Sequence, residues 1–332
     1  MASNEQRVPA YKIGLVYGYV LPPFGANPGK HFYVSPSGTN GSRGGPDTPF
    51  QTLTYAVSQA TDNVPCVIHA YPGEYAEIVT VNRRKVSIVG EIGPRNPGIV
   101  SIVGTAGQTT ATITVPTGFL NGFHLANVRV SVGGAYSTTT IPAATTWQCI
   151  ALTTDDVGAD RYANAPDYWS SIENVECDSN GDAVPSAGLW LRGVRSLIAR
   201  HVVIGGCTLG VALSGSEGNA PRGVRLEDFE FIGNVTADVA TTAATTGSGI
   251  LPINGDVGTL SSVYFKRPHF LSRGTGAVTN YINLTSTVTC TNVSFSDAVF
   301  ARDVLNGTLI ATLPTNVVVM GESPAGHEAI VG

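Results

Sequence analysis

Asp155, Arg192 and Glu217, with Trp190 beside them, are the residues of this chain best spaced to do chemistry. Each belongs to, or follows, a short run of alternating apolar residues, the pattern of a strand with one buried face. In the run from Cys149 to Asp156, Ile150 and Leu152 take the inward face and leave Thr153 and Asp155 outward. In the run from Gly188 to Gly193, Leu189 and Leu191 point in while Trp190 and Arg192 point out; after Val211 to Gly215, Ser214 is outward and Glu217 occupies the next turn. Stacked as neighbours about 4.8 Å apart, these runs hold the two carboxylates roughly 10 Å apart, slightly beyond the ~6.5–9.5 Å of an inverting glycosidase. Arg192 would lie between them, and Trp190 would offer a platform for a sugar ring. The same residues also fit the solvated flank of an ordinary sheet.

A second group lies in the loop Val157 to Tyr168, the largest aromatic and charged excursion of the chain. Arg161, Tyr162 and Tyr168 are the residue types that anchor a partner or a glycan; they equally suit a loop folded on its own flank. No metal or cofactor is implied. None of the six histidines forms a His-x-His or His-Glu-x-x-His pair, and the five cysteines, Cys66, Cys149, Cys177, Cys207 and Cys290, show no metal-ligand spacing. Widely separated and each in an apolar run, the cysteines read as reduced core residues.

Composition narrows the classes further. Hydrophobic residues make up 42% of the 332 and charged residues only 13%, with 39 glycines, which suits many short strands and tight turns and not a disordered chain. A net charge of −5 offers no basic face for nucleic acid. No apolar run is long enough to span a bilayer, and the amino terminus lacks the pattern of a signal peptide.

These residues must be positioned by a repeat. Two apolar residues at i and i+2, two mostly polar residues, then apolar residues at i+5 and i+7 recur along the chain. The clearest copies are Val224, Leu226, Phe229, Phe231; Val263, Phe265, Pro268, Phe270; and Val293, Phe295, Ala298, Phe300. Others are Phe123, Leu125, Val128, Val130; Leu197, Ala199, Val202, Ile204; and a weaker copy at Ser170, Ile172, Val175, Cys177. The break in alternation at Ala126-Asn127, Glu173-Asn174, Arg200-His201, Glu227-Asp228, Lys266-Arg267 and Ser296-Asp297 predicts a sharp, water-facing corner between two strands. The last inward residue falls at 177, 204, 231, 270 and 300, steps of 27, 27, 39 and 30, the signature of a solenoid whose longer coils carry loops. A further strand of each coil is expected at Cys149–Asp156, Gly188–Gly193, Val211–Gly215, Ile250–Asp256, Asn280–Thr285 and Thr308–Leu313; between Val86 and Val115 the register stays open.

Upstream, Thr48-Pro49-Phe50-Gln51 has the residues of a helix start, with Thr48 as cap, Pro49 in the first position and Gln51 reaching back. Phe50, Leu53, Val57 and Ala60 share one apolar face, suited to covering the open end of the first coil.

YVSPSGTNGSRGGPDTPFQTLTYAV, followed by VIHAYPGEYAEIVTVNRRKVSIVGE, resembles the opening of the pectin-lyase-like right-handed parallel β-helix proteins, a superfamily of pectin-degrading enzymes and bacteriophage spikes. The resemblance covers residues 31 to 104 by motif and the remainder by repeat pattern. It implies an all-β, right-handed parallel β-helix with an amino-terminal capping helix, in which catalysis, where present, sits on the outer face of the first strand of each coil. The superfamily's catalytic motifs are not reproduced: Asp228-Phe229-Glu230-Phe231 only echoes the Asp-Phe-Ile-Phe-Gly of pectin methylesterases, and Asp155-Asp156 stands without the other polygalacturonase motifs.

The expected organisation is an extended arm over residues 1–30, a cap over 31–65, the β-helix over 66–316 and a terminal strand and tail over 317–332. The leading functional expectation is a structural virion protein of a tailed bacteriophage, a spike or capsid-decorating protein assembled in the host cytoplasm. It would be a homotrimer held to other virion proteins by its arm, with contact to host-surface polysaccharide. The alternatives are a polysaccharide depolymerase, lyase or glycoside hydrolase, using Asp155, Glu217 and Arg192, and a non-catalytic carbohydrate-binding β-helix.

Overall fold

The computed structural model describes residues 29–91, 98–106, 108, 110–116, 118–133, 148–153, 170–178, 187–207, 209–214, 221–232, 237–241, 260–271, 280–284, 290–300, 316–323, 326–327 and 330–331. Its backbone is a parallel β-helix. A long sheet stacks Lys30–Val34, Cys66–Ala70, Val86–Gly90, His124–Ser131, Ser170–Asp178, Arg195–Gly205, Arg222–Ile232, Leu260–Lys266 with His269–Leu271, Cys290–Phe300 and Val317–Ser323, each parallel to the one before. A short sheet stacks Val79–Thr80, Ile113–Val115, Gln148–Thr153, Ala187–Arg192, Leu209–Ser214, Ala237–Thr241 and Asn280–Asn283. Parallel strands joined by crossovers of this kind wind right-handed. A β-sandwich, which would need antiparallel partners across hairpin turns, is excluded by this pairing.

The repeat read from the sequence is the core. Val224, Leu226, Phe229 and Phe231 are all fully buried, as are Leu197, Ala199, Val202, Ile204 and their counterparts in the other copies. The corner between the paired strands has a simple cause. Asn127, Asn174, His201, Asp228, Arg267 and Asp297, the second residue of each predicted corner, all have φ between 51° and 58°. One left-handed residue bends the strand and flips the alternation, so inward positions resume at i+5. Asn and Asp adopt this conformation most readily. A second column, Ser196, Gly223, Ser262 and Asn292, does the same at φ 54° to 62° near the start of each strand.

Stacking in register places like residues above one another. Phe231, Phe270 and Phe300 form one column with ring centroids 5.2 and 5.0 Å apart and nearly parallel planes; Phe265 and Phe295 form another at 4.4 Å. All five cysteines are free and buried, and burial pushes the Cys66 thiol up to about 12.

Two expectations are corrected. The helix spans Leu53–Gln59, and its cap is Thr52, whose hydroxyl accepts from the Tyr55 N–H. Thr48 is not the cap, because Phe50 is drawn into a parallel bridge with Val34, its N–H donating to Tyr33 O at 2.8 Å. The Glu77 carboxylate takes the free N–H groups of Leu53 and Thr54 at 2.8 and 2.9 Å, the anion that a helix start favours. The predicted apolar face nevertheless holds: Phe50, Leu53, Val57 and Ala60 are all buried. Secondly, the strand between Leu209–Ser214 and Asn280–Asn283 is Ala237–Thr241; Ile250–Asp256 and Thr308–Leu313 lie outside the described residues. Val317–Ser323 is met by Gly326–His327 and Ile330–Val331 running antiparallel, so the chain doubles back along its own last edge.

Where the reading was open, Val86–Gly90, Val100–Val103 and Ile113–Val115 prove to be successive strands of one coil. Residues 1–28 of the expected arm lie outside the described residues.

The Phe231 ring is the test of the stack. Phe231→Ala removes a fully buried ring lying between Phe229 and Phe270, and is expected to cost about 3–5 kcal/mol in denaturant unfolding. A loss below about 1 kcal/mol would contradict the stacked core.

Candidate functional site

The short sheet sets the outward rows predicted for chemistry. Ala151, Trp190, Ala212 and Ala240 align in register across four strands, and Thr153, Arg192 and Ser214 align one step further along. Trp190 is therefore flanked on both neighbouring strands by alanine, which leaves room beside the indole. Its ring packs on an apolar patch of Ala187, Leu209 and Ala212 that is separate from the main core. Gly188 makes this possible. A Cβ there would lie 2.3 Å from Ile204, so the strand turns locally and Ala187 and Leu209 join the outer patch. Trp190 and Arg192 are both half-buried. Asp155, Glu217, Arg161, Tyr162 and Tyr168 lie outside the described residues.

The corner column forms a second array. Glu173, Arg200, Glu227 and Lys266 occupy successive rungs, and beside them run Asn174, His201, Asp228, Arg267 and Asp297. Asn174 donates to Asn127 Oδ1 at 3.0 Å, Arg200 Nε to Glu227 at 3.0 Å, and Arg267 to both Asp228 oxygens at 2.6 and 2.8 Å. Hydrogen bonding from Arg267 holds the Asp228 carboxyl below its usual range. These pairs tie rung to rung.

A third cluster was missed by the sequence reading. His31 and Tyr33 alternate outward on the first long-sheet strand, and Tyr33 is the register partner of His69 on the second. The Tyr33 and His69 rings stack at 4.6 Å and 14°. His69 Nδ1 lies 2.5 Å from Glu91 Oε1, and His69 Nε2 lies 2.8 Å from His31 Nδ1. Tyr71 sits beside Tyr33 with ring centroids 5.9 Å apart. Burial, and secondly the neighbouring His69, hold the His31 imidazole below its ordinary value. Burial and then the Glu91 charge raise the Tyr33 phenol. Two histidines 38 residues apart gave no local motif; their meeting depends on the register of the coil. Among the described residues, no three His, Cys, Asp or Glu side chains converge to hold a metal.

No protein-family model matches the chain, and no curated protein sequence does. Among solved structures, a pectin methylesterase from Aspergillus niger superposes with a TM-score of 0.54 at 12% identity, covering 90% of this chain and 87% of the enzyme. A GH136 lacto-N-biosidase from Eubacterium ramulus gives 0.52 at 10% identity, covering 88% and 67%. The fold is that of the pectin-lyase-like right-handed parallel β-helix. At such identities the likeness is one of architecture alone.

On the outer face of the long sheet, Ser87, His124 and Ser171 align in register. His124 Nδ1 and Ser171 Oγ lie 2.7 Å apart, and full burial pushes the imidazole down to about 4. The folded protein keeps His124 neutral while the unfolded chain takes up a proton near pH 6.5. Stability from this group is thus complete above pH 6.5 and lost as pH falls toward 4, by a limit on the order of 3 kcal/mol. His124→Gln should flatten that part of the pH dependence in urea unfolding between pH 7 and 4; an unchanged slope would show that His124 does not titrate there.

Proposed function

We propose that this chain is a polysaccharide-engaging β-helix that binds an extended glycan along the outer face of its short sheet. The observation that carries this reading is Trp190, bedded on Ala187, Leu209 and Ala212 with Arg192 one step along the same strand. An indole packed against an apolar patch offers its ring to a sugar, and a neighbouring guanidinium carries donors in a fixed fork. The fold likeness to a pectin methylesterase and a lacto-N-biosidase supports a carbohydrate partner. Asp155 and Glu217 are the acid and base if the bound glycan is also cut.

Affinity electrophoresis of the full chain through gels containing soluble acidic and neutral polysaccharides tests the reading. Retardation by at least one polysaccharide is expected, weakened about tenfold or more by Trp190→Ala, equivalent to about 1.4 kcal/mol. Release of reducing ends, lost in Asp155→Asn or Glu217→Gln, would make the bound glycan a substrate. Wild-type mobility in every gel would overturn the proposal.

A second reading, a structural protein of a tailed-phage particle associating as a homotrimer through residues 1–30 and its flanks, is favoured by one feature. Val299, Val318 and Met320 are 37%, 38% and 49% exposed on the last two strands of the long sheet, apolar surface of the kind a neighbouring copy covers. Sedimentation velocity should then find a trimer that Met320→Asp shifts toward monomer. A wild-type monomer at micromolar concentration would remove this reading.

A further inference from the structure

The cluster at the amino-terminal end of the long sheet has a direction built into its hydrogen bonds. A carboxylate only accepts, so His69 Nδ1 carries the proton donated to Glu91 Oε1. With His69 in its neutral form Nε2 is then an acceptor, and the hydrogen bond it shares with His31 Nδ1 at 2.8 Å is donated by His31. That leaves His31 Nε2 with a free lone pair in a half-buried ring, and among the described residues no group is bonded to it. We propose that Glu91, His69 and His31 form a proton relay in which His31 Nε2 acts as a general base toward a hydroxyl, of water or of a neutral polyol, seated against Tyr33 and Tyr71.

The surroundings choose both the role and the ligand. Within the cluster His31 meets His69, His69 stacks on Tyr33, and Tyr33 lies beside Tyr71 within reach of the Glu91 charge, with Asp47 near Tyr71 and Lys30 on the same strand as His31. Lys30 is drawn away, its Nζ donating to Thr61 Oγ1 at 3.1 Å. The carboxylates of Glu91 and Asp47 disfavour an anion. Tyr33 and Tyr71, both held as phenols by burial, offer ring faces and O–H groups to a hydroxyl-bearing molecule. His31, held neutral at pH 7 by burial and by His69, is in the form that accepts a proton. Glu91 orients His69 and stabilises the charge that arrives, the role a carboxylate plays behind a catalytic imidazole. Glu91 and His69 are thus positioning residues, and His31 is the group that meets the ligand. Nothing here depends on glycan binding at Trp190, which lies on the other sheet.

Hydrolysis of p-nitrophenyl acetate by the full chain is the probe. Water gives a proton to His31 Nε2, its oxygen bonds to the acetyl carbon, and the bond to p-nitrophenolate breaks. The His31 Nδ1 proton moves to His69 Nε2, making His69 an imidazolium whose charge Glu91 stabilises; acetic acid and p-nitrophenolate leave, and the proton returns from His69 to His31 Nδ1 as bulk water takes the one on His31 Nε2. The expected rate falls roughly tenfold or more in His31→Gln and several-fold in Glu91→Gln. The wild-type rate should rise with pH through a midpoint below 6.5, and Glu91→Gln should move that midpoint lower because the carboxylate no longer stabilises the imidazolium. Nitrogen NMR of the wild-type protein, which needs no variant to fold, should show His31 protonated on Nδ1 and bare on Nε2 at pH 7.5. Rates equal to wild type in both variants, or a His31 proton on Nε2, would overturn the relay.

Discussion

One backbone constraint governs this molecule: in coil after coil, one residue must sit in the left-handed region so that the strand can bend and still return its side chains to the interior. Asn127, Asn174, His201, Asp228, Arg267 and Asp297 meet that demand in a vertical column. A left-handed residue costs on the order of 1 kcal/mol or more when it is not Gly, Asn or Asp. His201 and Arg267 bear the larger cost, and both are adjacent to Asp228: Arg267 by two hydrogen bonds and His201 at 3.6 Å. The pairing favours the strained corners by giving their side chains partners that only the in-register stack provides.

The same column explains how a chain with so few charges specifies its register. The interior is nearly uniform in character, with Phe over Phe and Val over Val, and a slip of one coil would bury almost as much apolar surface. The corner is not uniform. Glu173, Arg200, Glu227 and Lys266 alternate in sign from rung to rung, and pairing a coil with the next but one would set like charges about 4.8 Å apart. Exposed pairs of this kind contribute little to stability individually; their effect is to penalise the wrong register.

The fold was largely legible because its signals are local. An i, i+2, i+5, i+7 pattern is written within one copy, and the phase break at Glu227-Asp228 marks the left-handed residue itself. Helix-face residues were equally local, whereas the cap was not: Thr48-Pro49-Phe50 has the right chemistry, but the pairing of Phe50 with Val34 decides that the helix begins later, at a Thr52 the sequence does not distinguish. The strand Ala237–Thr241 was missed because its coil carries a long insertion, and alternation in Ile250–Asp256 imitated it. The site was legible only where it lay on one strand. Trp190 and Arg192 share a run of six residues and were read correctly as outward-facing, but the bed beneath the indole required Gly188 to turn the strand, which no alternation rule predicts.

His31, His69 and Glu91 show the general reason. In a solenoid the residues of an outer-face site come from level or diagonal positions on successive coils, His31 being in register with Val67 and His69 with Val89, so they are separated in sequence by about a whole coil plus whatever loop that coil carries. His31 and His69 are 38 apart and His69 and Glu91 are 22 apart, intervals fixed by the Gly-rich loop, the helix and the turn between them. A motif search keyed to fixed spacing finds metal pairs on a helix or a hairpin; it is blind to groups brought together by stacking. Conversely, once the register is known, each outward row can be read like a short sequence of its own: Ala151, Trp190, Ala212 is one large ring between two alanines. Lengthening a loop between coils leaves such a row intact, so the scaffold permits loops to vary while the chemistry of a face is kept, and function on this fold is written across the coils and not along the chain.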